Sequence, residues 1–412
     1  MNVLKYLNPF DPEVQSWATE ARLVRWLTLL WLGIGLVVLT LASYPEAQVV
    51  LGDGWHYCKR QLVWAAIGLF GFNVLVRMPL RNLHRFAPLA LVLLWLAIVG
   101  TQFMGTNING SERWFRIGAF LFQPSELIKP FLVLQGAYIF GSWQQRSRFT
   151  RRAWLLFFAL VLAGILLQPN LSNTALCGMV LWLMALASGL PLIGLGGVAF
   201  GGLAVAGTSL ALVPYQLARV TSFVDPFADP QGQGYQLVQS LYGIASGGLL
   251  GQGFGLSQQK LFYLPFQDTD FIFAVFAEEF GFIGCTFLLL LILVYATLAT
   301  RVAVKARTPV QQLVAVGAMA FIVGQSLINI GVAAGALPTT GLTLPFFSYG
   351  GNSLLSSFAL AALLVRVARE SNEAFVVPLP LTGNERRRRL REGEPRRRHV
   401  AVTRGRGDRA TR

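Results

Sequence analysis

Residues 270–297 read DFIFAVFAEEFGFIGCTFLLLLILVYAT, an apolar run that opens with an aspartate and follows the polar stretch 258–269. The run is long enough to cross a bilayer as a helix, since a span needs about 20 mainly apolar residues. A carboxylate at the end of a membrane helix is costly to desolvate, so Asp270 is predicted to face a cavity or a partner. The stretch therefore indicates a membrane helix with a functional acid at its start.

The composition of the whole chain is that of a membrane protein. Of its 412 residues, 54% are hydrophobic and 13% are charged, whereas soluble domains carry about 25% charged residues. Ten segments are predicted as transmembrane helices: 26–43, 62–76, 86–103, 124–143, 153–167, 174–190, 192–213, 271–297, 310–334 and 353–367. The predicted fold class is therefore an all-α integral membrane protein with ten transmembrane helices.

The placement of basic residues predicts the orientation of these helices. With the N-terminus inside, the outer loops hold only a few basic residues: Lys59, Arg60, Arg113, Arg116, Arg219 and Lys260. Because Lys and Arg are retained on the cytoplasmic side of short loops, both termini are predicted to be cytoplasmic. Asp270 is then expected outside the cytoplasm, near the outer membrane-water boundary.

Three regions follow from this topology. They are a cytoplasmic N-terminal segment at 1–25, a ten-helix membrane domain at 26–370 and a cytoplasmic, Arg-rich and disordered tail at 371–412. The membrane domain includes a large extracytoplasmic loop at 214–270, between helices 7 and 8. Residues 381–412 hold twelve of the 34 basic residues behind the net charge of +15, so anionic lipid or a protein partner is expected rather than nucleic acid.

Several alternatives are excluded by residue counts and context. Three cysteines and three histidines indicate neither a disulfide framework nor a cluster with metal-ligand spacing. The glycine-rich stretch 247–255 lacks the preceding strand of a nucleotide-binding loop. Either a tight extracytoplasmic turn or a backbone surface close to a headgroup is the expected role of these glycines.

Polar residues at the outer ends of two other helices are further candidates. Glu126 and Lys129 are three residues apart, so they can pair on one helix face; they form either a structural ion pair or part of a polar cavity wall. Arg113 and Trp114 precede this helix and suit a phosphate and either a sugar face or the membrane interface. The irregular stretch 341–353 predicts a re-entrant loop beside a polar pocket.

Ordered sequence blocks spread over most of the membrane region carry a family resemblance. They are GSERW at 110–114, QPSELIK at 123–129, QPN at 168–170, RVTSFVDP at 219–226, GYQLVQS at 234–240, SGGLLGQG at 246–253, TDFIFA at 269–274, AEE at 277–279, LPTTG at 337–341 and LPFFSYGG at 344–351. The chain resembles the SEDS family (shape, elongation, division and sporulation), which includes FtsW and RodA. The last block is more similar to the division-type FtsW than to RodA.

The resemblance implies a peptidoglycan glycosyltransferase that polymerises lipid II into β-1,4-linked glycan on the outer face of the bacterial cytoplasmic (inner) membrane. The family aspartate required for polymerisation maps onto Asp270, which is the expected general base. The expected substrate-binding residues are Arg113, Trp114, Arg116, Gln123, Ser125, Glu126, Lys129, Arg219, Gln239, Ser240, Lys260, Ser348 and Gly350. No cofactor is certain, although a divalent cation such as Mg or Mn stays open.

The same resemblance implies a class B penicillin-binding protein as a partner, beside other division or elongation proteins, and a role in septal wall synthesis. A lipid II flippase and a division scaffold remain as alternatives. The flippase alternative is disfavoured because transporters often contain internal repeats, and no convincing repeat is found.

The sequence departs from the family pattern at three positions. Asn170 replaces a common aspartate, and Phe262 stands where division-type members often carry an acid. Asp268 stands where His or Gln is more usual; it is either a second catalytic or metal-binding acid beside Asp270 or a solvated loop residue. If the two acids approach each other, the proton affinity of one or both rises.

Overall fold

The computed structural model describes residues 14, 17–108, 111–118, 120–372, 377–378 and 400–401. Its helices are α1 (Thr19–Leu51), α2 (His56–Arg77), α3 (Leu80–Met104), α4 (Pro124–Leu127), α5 (Lys129–Gly141), α6 (Arg148–Leu167), α7 (Leu171–Ala187), α8 (Leu192–Leu212), α9 (Pro214–Val224), α10 (Tyr235–Gly247), α11 (Ile272–Val304), α12 (Pro309–Ala333) and α13 (Gly351–Asn372). A 3₁₀ turn at Trp143–Gln145 joins α5 to α6. Most of the N-terminal segment 1–25 and of the tail 371–412 that the sequence predicts lies outside the described residues.

Short strands accompany the helices. A three-stranded antiparallel sheet has the order β1 (Thr106–Ile108), β2 (Ser111–Ile117) and β3 (Phe120–Phe122). It fills the connection between α3 and α4. A second pair, β4 (Val377–Pro378) and β5 (Val400–Ala401), is also antiparallel.

The helices confirm a multi-pass α-helical membrane protein. In the described part of the chain, seven helices are long and apolar enough to cross a membrane: α1, α3, α6, α8, α11, α12 and α13. Each of the ten predicted spans falls on a helix, with 62–76 inside α2 and 124–143 divided between α4 and α5. Ten spans remain a prediction.

Local sequence explains where several helices begin. The side chains of Ser147, Asn170 and Thr308 each accept a hydrogen bond from the backbone N–H three residues later. These residue types satisfy N–H groups that have no partner within the helix. Pro309 then occupies the first turn of α12, where its missing N–H costs nothing.

The core lies around α12 and α13, while α8 lies at the edge. In the most apolar 18-residue window of each helix, 78% of residues are buried in α13 but only 6% in α8. Apolar surface on α8 suits contact with lipid. The buried helices instead position the side chains and loops at the outer end of the bundle.

The predicted loop 214–270 contains α9 and α10 and packs closely on α11. Non-helical dihedral angles at Gly281 break α11 into two parts. A Cβ added at Gly251 would lie 2.1 Å from the carbonyl oxygen of Glu279, so glycine permits the close approach of the two backbones. Bonds from Gln252 N–H to Glu278 O and from Gly253 N–H to Glu279 O, of 2.9 and 3.2 Å, fix the loop there.

The irregular segment before α13 is covered by protein. Leu344, Phe346 and Phe347 are almost fully buried, and a Cβ added at Gly35 of α1 would lie 2.1 Å from the carbonyl oxygen of Phe346. Irregular backbone at membrane depth requires such cover. The re-entrant loop itself stays a prediction.

Candidate active site

A cavity of about 1250 Å³ opens at one end of the bundle. Its wall combines the sheet and the start of α4 with α9 and the start of α10. Residues 265, 266, 269 and 270 and the segments 339–343 and 349–353 complete it. Of the residues that the sequence predicts to be functional, these line the cavity: Arg113, Trp114, Gln123, Glu126, Arg219, Asp270 and Gly350.

Asp270 lies in this wall, two residues before α11. The side chain is half-buried, and the protein surrounding it disfavours the charged carboxylate. Burial raises the pKa of Asp270 to about 6, while the positive charges of Arg219 and Arg113 act in the opposite direction. A carboxylate with this pKa is mostly ionised at neutral pH and is a stronger base than an exposed aspartate.

Arg219 projects from α9 toward the same part of the cavity. Its Nη1 donates to the carbonyl oxygen of Thr339 at 3.3 Å, and its Nη2 donates to the hydroxyl of Tyr215. The guanidinium also lies over the Tyr215 ring, 4.6 Å from the centroid. A Cβ added at Gly341, where φ is +73°, would lie 3.5 Å from Asp270 Oδ2 and 3.7 Å from Arg219 Nη1. Asp270 and Arg219 therefore flank a glycine that leaves space between them.

Arg113 extends from β2 to the end of α6. Its Nε donates to Gln168 O at 2.8 Å and its Nη2 donates to Pro169 O at 2.7 Å. Burial lowers the pKa of Arg113, and Arg219 adds to that effect, whereas Tyr215 and Asp270 oppose it. Two of its five N–H groups are thus used to join the sheet to the bundle.

The predicted pair of Glu126 and Lys129 is formed. Lys129 Nζ lies 2.7 and 2.8 Å from the two carboxylate oxygens of Glu126, and it also donates to Gln325 Oε1 at 3.0 Å. Gln325 in turn donates to the carbonyl oxygen of Thr343 at 2.9 Å. Lys129 itself is fully buried behind the wall, whereas Glu126 and Thr343 line the cavity.

Three predicted substrate-binding residues lie behind or beside the cavity wall. Arg116 is exposed on β2, and Gln239 is half-buried on α10. Ser125 is fully buried, and its carbonyl oxygen accepts from Asn173 Nδ2 at 3.1 Å. None of the three side chains belongs to the described cavity lining.

Three others are occupied by contacts within the protein. Ser240 donates to Ala333 O at 2.7 Å, and Ser348 donates to Thr269 O at 2.6 Å. Lys260 Nζ lies 2.7 Å from Glu279 Oε1, and both side chains are almost fully buried. These residues hold loop segments in place and do not reach the described cavity wall.

Asp268 is not a freely solvated loop residue. It is half-buried, and burial, Glu46 and Asp270 raise its pKa to about 7. Its side chain is not part of the described lining. Across the residues that the structure describes, no group of three or more His, Cys, Asp or Glu side chains could hold a metal ion.

Asn170 explains one departure from the family pattern. Its side-chain oxygen accepts from Asn173 N–H at 3.3 Å and caps α7 at the cavity wall. Asn and Asp serve about equally well as N-terminal caps. The exchange therefore preserves the structural role at this position.

The cavity wall also contains residues that sequence reasoning did not select. Arg60 and Trp64 come from α2, Tyr349 comes from the irregular segment before α13, and Asn352 comes from the first turn of α13. Arg60 hydrogen-bonds to the Tyr349 side chain, and Trp64 meets Phe120 edge to face at 5.2 Å between ring centroids. The sequence did contain a signal for Arg60. Basic residues are rare in the predicted outer loops, and Arg60 is one of the few, as Arg113 is.

Comparison with known proteins identifies extensive similarity. The model of the FtsW, RodA and SpoVE family, described as cell cycle proteins, matches residues 21–373. The probable peptidoglycan glycosyltransferase FtsW of Synechocystis is 57% identical over 380 residues, covering 92% of this chain and 97% of that protein. Stage V sporulation protein E of Bacillus subtilis is 37% identical over 358 residues, covering 84% and 96%.

Two solved structures share the fold over most of their length. A chain of a peptidoglycan synthase complex that coordinates polymerization and crosslinking has a TM-score of 0.70 and 31% identity, covering 85% of this chain and 98% of its own. The rod shape determining protein RodA of Thermus thermophilus has a TM-score of 0.63 and 27% identity, covering 85% and 97%. The resemblance noted in the sequence therefore extends to the tertiary structure.

Proposed function

The chain belongs to the FtsW, RodA and SpoVE family of cell cycle proteins, and on this premise we propose that it is a peptidoglycan glycosyltransferase that polymerises lipid II. The relatives named as peptidoglycan glycosyltransferases support this activity over almost the whole chain. The observation that carries the mechanism is the Asp270 carboxylate in the wall of a large cavity, close to Arg219.

In the proposed reaction, Asp270 acts as general base. A sugar hydroxyl of one substrate loses its proton to the Asp270 carboxylate as its oxygen attacks the anomeric carbon of the other substrate. The new glycosidic C–O bond forms while the bond from that carbon to undecaprenyl pyrophosphate breaks. A single displacement inverts the anomeric carbon and gives the β-1,4 linkage.

The leaving pyrophosphate gains negative charge, so it needs nearby donors. Arg219 is suited to this role because it lines the cavity beside Asp270. Arg113 supplies additional positive potential, although two of its N–H groups already serve backbone carbonyls. Arg60 lines another part of the wall and offers a further cation.

We place the cavity on the extracytoplasmic side, with ten spans and both termini in the cytoplasm. The distribution of Lys and Arg over the loops supports this orientation. A class B penicillin-binding protein is the proposed partner, because a structural neighbour belongs to a complex that coordinates polymerization and crosslinking. The higher similarity to FtsW supports a septal role.

The direct test is polymerisation of purified lipid II in detergent, with and without the cognate transpeptidase. We expect wild type to form long glycan and Asp270→Asn to form at least about a hundredfold less, since a general base contributes roughly 10²–10⁴-fold. Asp268→Asn is the matched control, because Asp268 lies two residues away and outside the cavity lining; it should retain most activity. Normal polymerisation by Asp270→Asn, or movement of lipid II across vesicles without polymerisation by wild type, would favour the flippase alternative.

The pH dependence of the same assay tests the role of Asp270 as a base. Its pKa of about 6 means that the active carboxylate form is lost as the pH falls through 6. Activity is therefore expected to be half-maximal near pH 6 and to decrease about tenfold per pH unit below it. A rate that is unchanged from pH 7 to pH 5 would contradict the assignment.

A further inference from the structure

Three consecutive backbone carbonyls at the candidate catalytic residue are held by hydrogen bonds. Asp268 O accepts from Tyr349 N–H at 2.8 Å, and Thr269 O accepts from Ser348 Oγ at 2.6 Å. Asp270 O accepts from Asn329 Nδ2 at 2.8 Å. The segment that carries the candidate base is therefore bound by two parts of the chain that are about 60 to 80 residues away in sequence.

Asn329 makes a second contact of the same kind. It lies on α12, is almost fully buried, and its Nδ2 also donates to the carbonyl oxygen of Leu342 at 2.7 Å. A side-chain amide has two N–H hydrogens, so one nitrogen can serve two carbonyls. A single side chain thus connects the backbone of Asp270 to the segment before α13.

The segment reached by Asn329 also contacts Arg219. Arg219 Nη1 donates to Thr339 O, three residues before Leu342. Gly341 lies between these two attachment points, and a Cβ added there would lie 3.5 Å from Asp270 Oδ2 and 3.7 Å from Arg219 Nη1. The amide of Asn329 and the guanidinium of Arg219 consequently hold one short segment from both ends.

Ser348 strengthens the arrangement from the other side. Its hydroxyl donates to Thr269 O and accepts from Leu344 N–H at 2.8 Å. The hydroxyl therefore closes a turn within the irregular segment and at the same time binds the residue before Asp270. Ser348 does not belong to the cavity lining, so its contacts are with the protein and not with space available to substrate.

We propose that Asn329 and Ser348 are positioning residues for glycosyl transfer, which fix the Asp270 backbone relative to Arg219. The inference rests on the proposed function, and it assigns the two side chains no contact with substrate. Their role is to keep the carboxylate aimed at the attacking hydroxyl while the arginine faces the leaving group. Such placement matters because a displacement of about 1 Å can cost roughly a hundredfold in rate.

The test uses the full-length protein in detergent, with lipid II as the probe. Asn329→Leu removes both donated hydrogen bonds while keeping a similar volume. Asn73→Leu is the matched control, since Asn73 is equally buried but donates to Leu69 O within its own helix. For each variant, we would measure the affinity and stoichiometry of lipid II binding and the turnover per bound lipid II.

For Asn329→Leu we expect a decrease in turnover per bound lipid II of roughly tenfold to a hundredfold, with affinity unchanged. Ser348→Ala should show the same pattern with a smaller decrease, and it provides the test if Asn329→Leu does not fold. Asn73→Leu should leave turnover per bound lipid II unchanged.

The inference would be overturned if Asn329→Leu and Ser348→Ala both showed the wild-type turnover per bound lipid II. It would also be overturned if their activity decreased only in proportion to the fraction of protein that binds lipid II. A wild-type protein that makes no glycan would instead overturn the proposed function. If wild type is active and Asp270→Asn is inactive, but both positioning variants behave as Asn73→Leu does, the proposed function stands and only this inference fails.

Discussion

Among the residues that the structure describes, two buried Lys–Glu ion pairs are alike in chemistry but differ in place. Glu126 and Lys129 lie at the start of α4 and α5, where Glu126 faces the cavity. Lys260 and Glu279 join the loop after α10 to the first part of α11, outside the described lining. The nitrogen-to-oxygen distance is 2.7 Å in both.

The neighbours of the two pairs explain the difference in role. Lys129 also contacts Gln325, which donates to Thr343 in the cavity wall. Beside Glu279, the Glu278 carboxylate accepts from Ser257 Oγ and from Gln258 N–H, which holds the loop against the helix. The first pair therefore shapes the cavity, whereas the second fixes the fold of the loop that leads to Asp270. A buried charge pair by itself does not identify a substrate site.

The largest expected effect comes from breaking either pair. Lys129→Met and Lys260→Met each leave a buried carboxylate without its cation, which costs about 3–5 kcal/mol in the free energy of unfolding. Denaturant unfolding in detergent, followed by tryptophan fluorescence, would measure it. A loss below about 1 kcal/mol in either variant would mean that water reaches that pair and that it is not buried in solution.

Replacing both members of each pair separates stability from activity. Glu126→Leu with Lys129→Met, and Glu279→Leu with Lys260→Met, should each recover most of the stability lost by the single change, because apolar substitutes of similar size often replace a buried pair at little cost. Polymerisation of lipid II, corrected for folded protein, should then decrease at least about tenfold in the cavity double variant, equivalent to roughly 1.4 kcal/mol in barrier height.

The loop double variant is the control in that experiment and should retain activity within about threefold, or roughly 0.7 kcal/mol in barrier height. Equal losses of activity in the two double variants would show that the distinction between the pairs is wrong.

The smallest expected effects come from the neighbours of each pair. Gln325→Leu removes a hydrogen bond from the Lys129 amine, and Ser257→Ala removes one to the Glu278 carboxylate; each should cost about 1–2 kcal/mol in unfolding free energy. Only Gln325→Leu should also lower polymerisation per folded molecule, because its side chain supports Thr343 in the wall. A lower turnover in Ser257→Ala alone would reverse the assignment of the two regions.

The sequence predicted one of these pairs and not the other. Glu126 and Lys129 are three residues apart on a helical stretch, so their contact follows from helix geometry. Lys260 and Glu279 are nineteen residues apart, and their contact depends on the close approach of Gly251 to α11 at its break. The outer-loop position of Lys260 suggested a substrate contact, and the structure pairs its amine with Glu279.

The sequence by itself determined the multi-pass helical fold, the family and the choice of Asp270 as the candidate functional acid. Apolar runs of about 20 residues form membrane helices because backbone groups must bond within the segment, and a carboxylate at the start of such a run needs a polar surrounding. Only the tertiary structure decided that Arg113 binds Gln168 O and Pro169 O, that Arg60 lines the cavity and that Asn329 holds Asp270. The hydrogen bonds of Arg113 and Asn329 join residues 55 to 59 positions apart, so no local periodicity encodes them. They exist because the packed helices bring distant carbonyls and donors within hydrogen-bond distance.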